Sequence, residues 1–157
     1  MKILMDADCL IKLTKARLKE AVCAAFEVEV PSWVCREVIR NASEHPECIV
    51  IAENLANGLL REVAVPDEYT KGEDSTLAVY RTGGYEGIAS DDKRFVRKLR
   101  LLGIPYFPAA VLLLLLVKAG HMTVVEGSQQ LERLAPMVSD DEVVVVKLKL
   151  ESFSNKG

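Results

Sequence analysis

Short apolar runs of strand length alternate with longer stretches whose apolar residues recur at helical spacing, and this alternation limits the possible folds more than any other feature of the chain. The runs are Lys2-Ile-Leu-Met5, Glu27-Val-Glu-Val-Pro31, Glu62-Val-Ala-Val65, Gly87-Ile-Ala-Ser90 and Ile104-Pro-Tyr-Phe107. Parallel strands need a crossover between them, and a helix is the usual one; the crossover helices then cover both sheet faces. The expected fold class is α/β, a three-layer α/β/α sandwich around a mostly parallel central sheet.

The intervening stretches read as helices with recognisable ends. Asp8 is placed to cap a helix carrying Leu10, Leu13, Leu18, Val22 and Phe26, and Ser32 to cap one over residues 33–41 with Val34, Val38 and Trp33 facing inward. Ile49, Ile51, Leu55 and Leu59 predict a helix that stops near Asn57-Gly58, and Pro66-Asp67 and Lys71-Gly72 punctuate the connection that follows the third run. A helix from Glu73 to about Arg81 ends at Thr82-Gly-Gly84. Asp91-Asp92 open another, with Phe95, Val96, Leu99 and Leu102 on one side and Lys93, Arg94, Arg97, Lys98 and Arg100 around the rest. The leucine run from Ala109 to Val117 and the segment Val124 to Leu134 complete the helices. Residues 143–150 are β-branched and alternate towards their end, which predicts a C-terminal strand at an edge or against a partner. The expected organisation is one compact domain over 1–138 and a C-terminal extension over 139–157 with an edge strand and a disordered end.

The length of 157 residues suits one core that is stable without staples. A net charge of -3 excludes a globally basic nucleic-acid binder, so any basic surface must be local. Cys9, Cys23, Cys35 and Cys48 show no CxxC spacing and read as small core hydrophobes in a reducing compartment, not as a zinc site. Met1-Lys2 leads straight into an apolar run broken by Asp6, unlike a signal peptide. The leucine run is too short for a bilayer, which needs about 20 apolar residues. A cytoplasmic protein with no membrane partner is expected.

The chemistry lies in acidic residues that such a sheet brings together. Ligands of open α/β sheets bind outside the carboxyl ends of the strands, and Asp6 and Asp91-Asp92 each follow directly on an apolar run. Glu37 lies one turn into the helix after the second run, and Glu73-Asp74 at the start of another helix. A helix-start acid is ordinarily explained by the helix dipole. A carboxylate closing a buried strand is harder to explain that way, and here it occurs twice. Clustered carboxylates repel and would take up protons; a divalent cation resolves the conflict, and hard oxygen donors suit Mg2+ or Mn2+. Such an ion can activate water and stabilise a leaving oxygen in phosphodiester hydrolysis. Asp6, Glu37, Glu73, Asp91 and Asp92 are the candidate catalytic residues, and Asp6, Glu37, Asp74, Asp91 and Asp92 the candidate metal ligands. Lys12, Lys15, Lys93, Arg94 and Arg97 could contact nucleic-acid phosphates, although basic residues along a helix usually form a solvated face.

In this order the residues resemble the PIN domain, a fold of metal-dependent ribonucleases that includes toxins of toxin-antitoxin pairs. Ile3-Leu-Met-Asp6-Ala-Asp8-Cys-Leu10 is similar to its opening strand with the first acid, and Pro31-Ser-Trp-Val-Cys-Arg-Glu37-Val38 to its second motif. Gly72-Glu73-Asp74 resembles the third motif of one subgroup and Ser90-Asp91-Asp92-Lys-Arg-Phe95 the fourth, and the likeness extends to about Leu134. Whether Glu73 or Asp74 is the third acid, and Asp91 or Asp92 the fourth, stays open. The resemblance implies a PIN-like endoribonuclease using Mg2+ or Mn2+ on RNA, a homodimer and, for a toxin, an antitoxin partner. Two rivals stand beside it. Asp6-Ala-Asp8 and Ala89-Ser-Asp91-Asp92 also resemble motifs of haloacid-dehalogenase-like phosphatases, where an aspartate is the nucleophile, but Glu37 and Glu73 then gain no role. A PIN-like scaffold could also bind without cutting.

Overall fold

The structure is a computed structural model describing residues 1–40, 46–65 and 72–154. Four strands, β1 (Lys2–Met5), β2 (Glu27–Pro31), β3 (Arg61–Val63) and β4 (Gly87–Ala89), form one sheet in the order β3-β2-β1-β4, with every pair parallel. The helices are α1 (Ala7–Lys15), α2 (Lys19–Ala25), α3 (Ser32–Arg40), α4 (Pro46–Ala56), α5 (Gly72–Arg81), α6 (Lys93–Leu101), α7 (Ala109–Lys118), α8 (Val124–Leu134) and α9 (Asp140–Ser154). Side chains alternate across the central strand. Ile3 and Met5 enter a large core with α1 to α4 and α7 to α9, while Leu4 joins Ile88, Leu77, Phe95 and Leu99 in a smaller core under α5 and α6. The α/β class with a covered parallel sheet is thus what the chain adopts.

Four expectations are corrected. The C-terminal segment is not an edge strand but helix α9, whose Val146 and Leu150 are buried one turn apart while α7, α8 and α9 pack on one another. The single helix expected after Asp8 is two, because Arg17 takes a left-handed backbone (φ 60°) and Leu18 N–H turns back to the Leu13 carbonyl. Its first part is capped by Asp6, not Asp8. The fifth run shrinks to one bridge between Ile88 and Tyr106, since Pro105 and Pro108 remove donors that a longer strand would need. Residues expected at a helix end (Asn41), in the connection after β3 (Pro66, Asp67, Lys71) and in the tail (Asn155 to Gly157) lie outside the described residues.

That bridge sets a backbone requirement near the site. Ile88 N–H donates to the Pro105 carbonyl at 3.0 Å, and a β-carbon on Gly87 would stand 2.6 Å from that same oxygen and 2.6 Å from Phe107 Cε2. The carbonyl cannot retreat without losing its hydrogen bond. Gly87→Ala is therefore expected to destabilise the fold by about 1–3 kcal/mol, seen as a melting temperature several degrees lower by circular dichroism; an unchanged melting temperature would contradict the tight β4 contact. Among the described residues no helix is long and apolar enough to cross a membrane, and all four cysteines are free.

Candidate functional site

The carboxyl ends of the strands open into a pocket of about 420 Å³. Asp6 is its most constrained wall. The residue leaves β1 with an extended backbone, so its carboxylate folds over the first turn of α1 and accepts from Cys9 N–H at 2.9 Å. Its other oxygen accepts from the Ser90 hydroxyl, just beyond β4. Burial pushes the Asp6 carboxyl from 3.8 up to about 7; these two hydrogen bonds pull the other way, and the charges of Asp8 and Asp91 add to the rise.

The remaining acids arrive from separate elements. Because β2 passes directly into α3, Glu37 stands one turn along that helix, half-buried and facing the pocket. Glu73 is the second residue of α5, and Asp92 caps α6 by accepting from Phe95 N–H at 2.8 Å; both are exposed and line the pocket. Asp8, also on the wall, is paired with Lys12 at 3.1 Å.

The two positions left open by the sequence separate here. Asp91 turns away from the pocket, and both its oxygens lie 3.2 Å from Ala109 N–H at the start of α7, where the helix dipole favours a carboxylate. Burial raises its pKa, while the charge of Lys12 and the Ala109 hydrogen bond oppose the rise. Asp74 lies 3.9 Å from Lys98 and does not line the pocket. Glu73 and Asp92 therefore line the pocket and Asp74 and Asp91 do not, although Asp91 stays near enough for its charge to act on Asp6. Of the basic candidates, Lys12 is committed to Asp8, Lys15 is exposed on α1, and Lys93, Arg94 and Arg97 are exposed along the helix that Asp92 caps.

Sequence reasoning missed several participants. Ser90 is fully buried although polar, and its place between β4 and the paired aspartates was the available signal. Trp33, expected in the core, instead lines the pocket one turn before Glu37. Glu142, on α9, lies outside this pocket, but it carries a buried oxygen with no hydrogen-bond partner among the described residues, and burial first, then the charge of Asp91, raises its pKa.

The acidic donors around the pocket are all carboxylate oxygens, the set that suits Mg2+ or Mn2+. Among the described residues no three acidic, histidine or cysteine side chains stand close enough together to hold an ion by themselves. Mg2+ commonly keeps several waters and uses one or two carboxylates plus substrate phosphate, so an ion at this pocket would have to be held partly through water. Compared with known proteins, the chain matches no family model and no curated sequence.

Proposed function

We propose that this protein is a PIN-like, divalent-metal-dependent endoribonuclease of the cytoplasm. One observation carries the proposal: Asp6, Glu37, Glu73 and Asp92, from four separate elements, line a single pocket at the carboxyl edge of a parallel sheet. Capping and the helix dipole account for Asp6, Glu73 and Asp92 one at a time; a shared cation is the simplest physical reason for four such acids to face one pocket. Asp6 and Asp92, with Glu37 or Glu73 through water, would hold Mg2+ or Mn2+. When bound, the ion supplies an activated water and neutralises charge on the leaving oxygen. Asp6 is held in place by Ser90 and Cys9, so it enters the reaction already oriented. Lys93, Arg94 and Arg97, exposed on the helix that begins at the pocket, would hold the strand by its phosphates. The homodimer and antitoxin implied by the resemblance belong to the same proposal; Val144, Val145 and Leu148, exposed on α9, are apolar surface that such a contact could cover.

Purified protein incubated with Mn2+ is expected to cut a single-stranded RNA internally and to stop when EDTA is added. Release of phosphate from a small monoester, without RNA cleavage, would favour the phosphatase instead. Binding of RNA with neither activity would leave a scaffold.

A further inference from the structure

Two aromatic residues line the acidic pocket; Phe95 is sealed into the core, whereas Trp33 is not, and the proposed reaction gives Trp33 no task. Trp33 stands in the first turn of α3, four residues before Glu37, so the two side chains share a helix face and both line the pocket. The indole is half-buried, not sealed into the core. Its position is set from two sides. A β-carbon on Gly72 would lie 3.1 Å from Trp33 Cδ1, 3.4 Å from Nε1 and 3.6 Å from Glu37 Oε2, so the start of α5, the edge of the indole and the acid meet at one point. The Arg40 guanidinium lies 5.8 Å from the ring centroid, a cation–π distance that steadies the ring and brings a positive charge to it.

We infer that Trp33 is a nucleobase-stacking platform, which receives an unpaired base next to the phosphate held at the acids. The inference rests on the ribonuclease proposal and assigns the part of the substrate that the carboxylates cannot hold. Acids and a cation recognise phosphate, which every nucleotide carries; a π face recognises the base, and any base will stack on it. Arg40 beside the ring suits the same role, because a guanidinium reaches the phosphate of the stacked nucleotide. Stacking of this kind needs a base free of its pairing partner, so duplex RNA is refused at this wall.

The chain contains one tryptophan, so its intrinsic fluorescence reports this residue alone. With Ca2+ in place of Mg2+ or Mn2+, so that a cation stays at the acids to hold phosphate while turnover is suppressed, an eight-nucleotide single-stranded RNA is expected to quench the emission saturably. An abasic ribose-phosphate chain of the same length and a blunt duplex are expected to leave it nearly unchanged. With Mn2+, Trp33→Leu is expected to raise KM roughly ten- to a hundredfold, the loss falling on KM more than on kcat, and Trp33→Phe to recover most of it. Saturable quenching without cleavage would retain the platform and remove the nuclease proposal. Cleavage with no quenching, or with equal quenching by the abasic chain, would overturn the platform and leave the nuclease standing. The titration uses the native protein, so a variant that fails to fold does not decide the matter.

Discussion

Asp6→Asn is expected to lower RNA cleavage on the order of 10³-fold or more while leaving the fold intact. The substitution is nearly isosteric. The asparagine oxygen still caps Cys9 N–H, the contact made at 2.9 Å by the native carboxylate, and its amide can donate to the Ser90 oxygen. What it removes is the negative charge at the most enclosed wall of the pocket, and with it the strongest electrostatic reason for a cation to bind there. Single-turnover cleavage checks the loss, and circular dichroism checks the fold. Asp91→Asn is the informative partner: Asp91 faces α7 instead of the pocket, so its removal should affect stability more than cleavage. Residual cleavage within tenfold of native in Asp6→Asn would remove Asp6 from the chemistry.

The same carboxyl makes the metal-free protein sensitive to pH. Its folded pKa, about 7, lies above its ordinary 3.8, so the folded state holds a proton that the unfolded chain has already lost. Stability from this group is therefore full below about pH 4, falls between about pH 4 and 7, and stays low above pH 7. The gap between 3.8 and about 7 corresponds to roughly 4 kcal/mol at about 1.4 kcal/mol per pH unit. In EDTA, Asp6→Asn should match the native protein near pH 3.5 and exceed it at pH 8 by a few kcal/mol, on the order of 10 °C in melting temperature. Adding Mg2+ or Mn2+ at pH 8 should narrow that difference by favouring the ionised carboxylate. A native protein that gains stability relative to the variant as pH rises would show that Asp6 is stabilised as an anion by the protein alone, and the electrostatic basis for a cation would fall.

The sheet was legible because its strands are short, carry buried apolar residues in β1, β2 and β4, and are separated by helical spacing, a pattern local enough for sequence to carry. The acids at the strand ends were legible for the same reason, since the residue after a buried strand must emerge at the sheet edge. The choice between Asp91 and Asp92 was not, because it depends on Ala109, 18 residues away, whose N–H claims the first of the pair. Asp74 faces Lys98, on another helix, at 3.9 Å, a neighbour that local sequence does not announce either. Helix α9 was misread for a different reason. Four consecutive valines favour strand locally, but packing of Val146 and Leu150 against α7 and α8 outweighs that preference. A start signal was present in Ser139-Asp-Asp-Glu142, where the Ser139 hydroxyl accepts from Glu142 N–H at 3.2 Å. Nothing local announced the break at Arg17, a left-handed residue with neither glycine nor proline beside it.

The most direct test is a Mn2+ titration of the native protein followed by the electron paramagnetic resonance signal of the free ion. Saturable binding that is lost in Asp6→Asn, weakened in Asp92→Asn and retained in Asp91→Asn and Asp74→Asn is the expected result. Undiminished binding in Asp6→Asn, or a loss that follows Asp91 and Asp74 instead, would contradict a cation pocket built from these four elements.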